Sequence, residues 1–102
     1  MLAEFSVFPV DKGPHLSEYV APVIALVRQS GLPWRVTAMG TIVEGGMEEI
    51  LTLVRACHEL MVRDSQRVVT TIRIDDFKGR TGRLEGKVDS IEQKLGGPVN
   101  RA

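Results

Sequence analysis

Two stretches whose apolar residues recur every three or four positions, each lying between runs of β-branched residues, constrain this chain more than any other feature. In the first, Leu16, Tyr19, Val20, Val23, Ile24 and Val27 share one face at helical spacing. This predicts a helix from Glu18 to Ser30, with Ser17 as N-cap and Gly31 just past its end. Pro22 falls in its second turn, where proline removes a backbone hydrogen bond and crowds the carbonyl four residues back. A kink or a late start is expected there. The second stretch follows Gly45-Gly46 and carries Ile50, Val54, Cys57 and Met61, flanked by Leu53 and Leu60. Glu48 and Glu49 in its first turn and Arg63 near its last have the polarity that a helix dipole favours.

The intervening runs read as strands. Leu2 to Val10 is rich in β-formers and stops at the turn cluster Asp11-Lys12-Gly13-Pro14. Trp34 to Met39 and Thr41 to Glu44, with Gly40 between them, read as a hairpin with short arms. Val68 to Ile74 alternates as a closing strand, Asp76 to Gly82 as a loop, and Val88, Ile91 and Leu95 mark a short helix ending at Gly96-Gly97-Pro98. The last residues are expected to fray. The order strand, helix, strand, strand, helix, strand, then a terminal helix, is that of an α+β, ferredoxin-like βαββαβ sandwich, with residues 1–102 expected to form a single domain. Crossover connections predict that the first strand pairs parallel with the one after next and that both longer helices cover one sheet face. The other face is then bare, and the alternation of the first strand puts a phenylalanine on it whichever way it points. A bare apolar face predicts oligomerisation.

Composition narrows the partners. Thirteen Lys and Arg balance thirteen Asp and Glu, which leaves no overall field to attract nucleic acid or an anionic membrane. The longest apolar stretch, Tyr19 to Val27, is far short of the roughly 20 residues needed to span a bilayer. The opening segment lacks the basic flank and cleavage site of a secretory signal, so a cytoplasmic location is expected. Cys57, the one cysteine, lies on an apolar helical stripe and reads as a small core hydrophobe.

Residues able to carry catalysis do not assemble into a pattern. His15 and His58 stand at no metal-ligand spacing, Gly45-Gly46 lacks the rest of a phosphate loop, and no nucleophile, base and acid set can be read. The carboxylates Glu44, Asp75 and Asp76 lie at strand ends, where sites on such sandwiches collect. The basic residues Arg67, Arg73, Lys78 and Arg80 are interrupted by acids, without the aromatic pattern of RNA-binding sheets. No cofactor, metal or catalytic residue is expected.

Three segments together resemble the family of small thiamine-binding proteins: Ala3-Glu4-Phe5-Ser6-Val7-Phe8-Pro9, Thr37-Ala38-Met39-Gly40-Thr41-Ile42-Val43-Glu44-Gly45, and Arg67 through Asp76. The resemblance implies a homo-oligomer, a tetramer, that binds thiamine or its hydroxymethylpyrimidine part without turning it over. The chain departs from the family's pattern at Pro22 and at Phe77-Lys78-Gly79-Arg80. Thiamine pairs a permanent thiazolium cation with an aminopyrimidine, and each part sets a demand. Glu44, Asp75 and Trp34 could meet the cation by charge or by a ring face. Ser6, Thr37 and Thr41, with the Met39 thioether on a ring, could meet the pyrimidine. The expected function is a non-catalytic carrier, buffer or sensor. The alternatives are a regulatory protein-interaction module and a small enzyme on the same scaffold.

Overall fold

The computed structural model describes residues 1–101. Its elements are β1 (Leu2–Pro9), α1 (Ser17–Gln29), β2 (Trp34–Thr37), β3 (Gly40–Glu44), α2 (Met47–Val62), β4 (Val68–Asp75) and α3 (Arg83–Leu95). The sheet order is β2-β3-β1-β4, the ferredoxin-like α+β sandwich that the element order predicts.

Every strand pairing is antiparallel, which corrects the expected parallel pair. The hairpin returns β3 against the direction of β2, and β3 takes the place beside β1. The crossover through α1 therefore relates β1 to β2, two strands separated by the one inserted between them.

Alternation along β1 sorts its side chains cleanly: Ala3, Phe5, Val7 and Pro9 are buried, while Leu2, Glu4, Ser6 and Phe8 are half-buried on the opposite face. Ala3, Phe5 and Val7 meet Val23 and Val27 of α1, Val43 of β3, and Ile50, Leu53, Val54, Cys57 and Met61 of α2 in one core. Each of these positions lies on the stripe its element's period selects.

The helix ends differ slightly from expectation. Leu16, not Ser17, holds the N-cap of α1, its carbonyl accepting the N–H groups of Tyr19 and Val20 at 2.9 and 3.0 Å. The helix runs through Pro22, which lies exposed, where water can satisfy the Glu18 carbonyl that proline leaves without a donor. Segment 96–101 is tied down rather than frayed. The Val99 N–H donates to Glu92 at 2.8 Å, and Arg101 bridges Glu85, Asp89 and Glu92 of α3.

The second sheet face is neither bare nor uniformly apolar. Along β1 and β4 it presents Leu2 beside Asp75, Glu4 beside Arg73, Ser6 beside Thr71 and Phe8 beside Val69. One end of it is covered by α3 through polar contacts with Glu44, Asp75 and Arg35. Among the described residues no helix is long and apolar enough to cross a membrane.

Candidate functional site

The arms of the hairpin are shorter than the strand they flank. β3 pairs with β1 only from Leu2 to Phe5, whereas β1 continues to Pro9 along β4. The space a longer β3 would fill is a cavity of about 330 Å³. Its walls are the free edge of β1 at Ser6, Val7 and Phe8, the α1 side chains Leu16, Val20 and Ile24, and the hairpin tip from Val36 to Thr41. Gly40 allows the tip to close down, since a Cβ there would come to 3.1 Å from the Phe5 carbonyl oxygen.

Four of the seven predicted ligand-binding residues line this cavity: Ser6, Thr37, Met39 and Thr41. Their side chains are differently engaged. Ser6 and Thr71 share a hydrogen bond of 2.8 Å between hydroxyls across the strand pair. The Thr37 hydroxyl locks the turn, donating to the Gly40 carbonyl at 3.0 Å and accepting the N–H groups of Met39 and Gly40 at 3.1 Å. Met39 stands 86 % exposed at the tip. Thr41 is only 5 % exposed, the one buried polar residue of the chain's described part, and its hydroxyl, which bonds to no other described group, keeps contact with the cavity.

The other three lie elsewhere. Trp34 opens β2 and packs against the core opposite Val43. Glu44 and Asp75 sit side by side with Leu2 at the far end of the sheet, where both are claimed by α3. The carboxylate of Glu44 accepts the N–H groups of Arg83 at 2.9 Å and Leu84 at 3.1 Å, the first two residues of the helix. Gly82 at the N-cap has a φ of 65° and no side chain to cap with, so a strand residue caps α3 from outside. Burial pushes the Glu44 carboxyl up, but the N–H donors of Arg83 and Leu84 and the chain's amino terminus outweigh it and hold the carboxyl below its ordinary range. Asp75 accepts from Arg83 at 2.9 Å and Lys87 at 3.1 Å, and these cations draw its pKa down to about 2.

The remaining candidates are structural. Cys57 is wholly buried and its thiol is pushed up to about 11 by that burial, which suits a core residue and not a nucleophile. His58 Nδ1 pairs with the Thr70 hydroxyl at 2.7 Å, tying α2 to β4. No group of three or more metal-ligating side chains occurs among the described residues.

The profile of the thiamine-binding protein family matches residues 3–92. The chain belongs to the thiamine-binding protein family. A UPF0045 protein of Methanocaldococcus jannaschii is 34 % identical over 91 residues, covering 89 % of this chain and 91 % of its own. The crystal structure of a hypothetical protein of that organism superposes with a TM-score of 0.84 at 34 % identity, covering 90 % of this chain and 95 % of the other. A Thermotoga maritima protein, named for a proposed place in thiamine biosynthesis or salvage, superposes with a TM-score of 0.78 at 26 % identity, covering 88 % and 96 % of the two chains. The family match spans the whole wall of the cavity and most of α3.

The sequence reading missed the contribution of α1. Leu16, Val20 and Ile24 read there only as core stripe, yet they overhang the cavity because no strand lies beneath them. The signal was present as a mismatch of lengths, an eight-residue β1 beside a five-residue β3.

Proposed function

We propose that this protein is a non-catalytic binder of thiamine or of its hydroxymethylpyrimidine part, acting as carrier, buffer or sensor, and that the pyrimidine enters the cavity beneath the hairpin tip. The observation that carries this reading is Thr41, a residue only 5 % exposed on the wall of a largely apolar cavity, whose hydroxyl makes no hydrogen bond to another described group and stays open to the cavity. A hydroxyl that faces an apolar cavity gives an entering ligand a hydrogen-bond partner worth about 1 kcal/mol. The cavity lining contains no carboxylate, which suits the neutral pyrimidine rather than the thiazolium. The cationic ring then remains outside, toward solvent or a neighbouring subunit. Ser6, Thr37 and Met39 shape the entrance, while Glu44, Asp75 and Trp34 support the frame from a distance.

Isothermal titration with thiamine and with hydroxymethylpyrimidine tests this directly. Both bind, and both are recovered chemically unchanged after prolonged incubation. Thr41→Val, which keeps the shape and removes the hydroxyl, weakens both by about three- to tenfold, the worth of one hydrogen bond. Absence of heat at millimolar ligand contradicts the reading, and an unaltered affinity in Thr41→Val moves the site elsewhere.

The homo-oligomer, a tetramer, belongs to the same proposal. Its support is the uncovered part of the second sheet face with Phe8 and Val69, together with Ile91 and Leu95 of α3, which are 55 % and 65 % exposed.

A further inference from the structure

The free edge of β1 has a definite phase. In an antiparallel strand the N–H and C=O of one residue point to the same side, and successive residues alternate. The Met1 carbonyl accepts the Gly45 N–H on the β3 side, and the Val10 N–H donates to the Arg67 carbonyl on the β4 side. Odd-numbered residues of β1 therefore address β3, and even-numbered ones address β4. Ala3 and Phe5 are opposed by Val43 and Thr41 of β3, but Val7 faces the same way at a point where β3 has ended. Its N–H and C=O are directed into the cavity with no backbone or side-chain partner among the described residues, although Val7 is only 5 % exposed.

We propose that the backbone N–H and C=O of Val7 are the recognition edge of this cavity, selecting planar heteroaromatic rings that carry a ring-nitrogen acceptor next to an exocyclic amino donor. The inference rests on the small-molecule reading of the cavity and adds the group that reads the ligand. The Val7 N–H donates to the ring nitrogen, and the amino group donates to the Val7 C=O, as a neighbouring strand residue would. Leu16, Val20 and Ile24 of α1 supply the apolar wall against which such a ring lies. A peptide strand is a poorer occupant. Ser6 and Phe8 address β4, and Pro9 has no N–H, so the edge offers both groups at Val7 alone, too few for strand addition.

Two measurements on the unsubstituted protein decide the matter. The probes are 4-amino-5-hydroxymethyl-2-methylpyrimidine and its analogue with hydrogen in place of the amino group. Titration calorimetry gives an affinity for the amino compound at least about tenfold higher, since the analogue leaves the Val7 carbonyl unpaired. Amide hydrogen exchange shows the Val7 N–H slowed by about tenfold or more when the amino compound saturates the protein. Equal affinities for the two probes, or a Val7 amide unchanged while heat of binding is observed, overturns the backbone edge and leaves the small-molecule reading standing. No heat with either probe overturns both.

Discussion

Thr41 and Cys57 illustrate how a single residue's meaning is set by what its element packs against. Both are buried, both sit on stripes that the local period assigns to the interior, and only one has room beside it. Cys57 fills its place completely, with its thiol 3.9 Å from the Val23 carbonyl and its pKa raised to about 11 by burial. It is therefore expected to resist alkylation by iodoacetamide at pH 8 in the folded protein and to react within minutes in denaturant. Rapid labelling of the native chain would show the core open at this point. At this scale the sequence was legible wherever a period dictates burial, as for Phe5, Val27 and Ile50. It singled out Glu44 as a candidate contact for a cation but gave no sign of its capping role, which depends on a helix that begins 39 residues later in the chain and returns to it.

Helix α3 is the element whose placement matters most to stability at low pH. It has no buried residue and is held to the sheet by the Glu44 cap, the Asp75 bridges to Arg83 and Lys87, and the pairing of Arg35 with Glu85. The Glu44 and Asp75 carboxyls are both held below their ordinary values, so the folded state binds fewer protons than the unfolded one. The docking is complete above the ordinary Glu value of 4.5 and is lost progressively as pH falls toward about 2. Glu44→Ala removes the cap at any pH and costs about 1 kcal/mol. Amide exchange across residues 84–95 should accelerate about fivefold in this variant, with α2 unaffected, the local-opening signature of an undocked helix. Uniform acceleration throughout the molecule, or none, would show that Glu44 does not hold α3. Element order was legible because each period is strong and most breaks are marked by glycine or proline, the polar Arg63–Arg67 turn between α2 and β4 being the exception. The parallel pairing was misread because the order of strands in a sheet is a long-range property, set when β3 inserts between β1 and β2.

The whole molecule is more elongated than its length requires, with a radius of gyration of 14.9 Å against about 13 Å for an ordinary domain of this size. The extension is consistent with α3 lying on the second sheet face and leaving its Ile91 and Leu95 end outward. A subunit with those side chains covered by a neighbour should sediment as a multiple of 11.2 kDa, and sedimentation at the single-chain mass would contradict the proposed oligomer. The cavity itself was only half legible. Its hydroxyl-bearing residues Ser6, Thr37 and Thr41, with Met39 at the tip, follow from the hairpin and first-strand segments, but its existence follows from unequal strand lengths and an overhanging helix. A second, larger groove of about 520 Å³ lies between α1 and α2, lined by Leu26, Leu32, Glu48, Glu49 and Leu53, and it supplies the natural control for location. The most direct test is a titration of the ¹⁵N-labelled protein with thiamine, followed amide by amide. The account predicts saturable shifts at Ser6 to Phe8, Val36 to Thr41 and Leu16 to Ile24; shifts centred on Leu32, Glu48 and Glu49, or on α3, would contradict it.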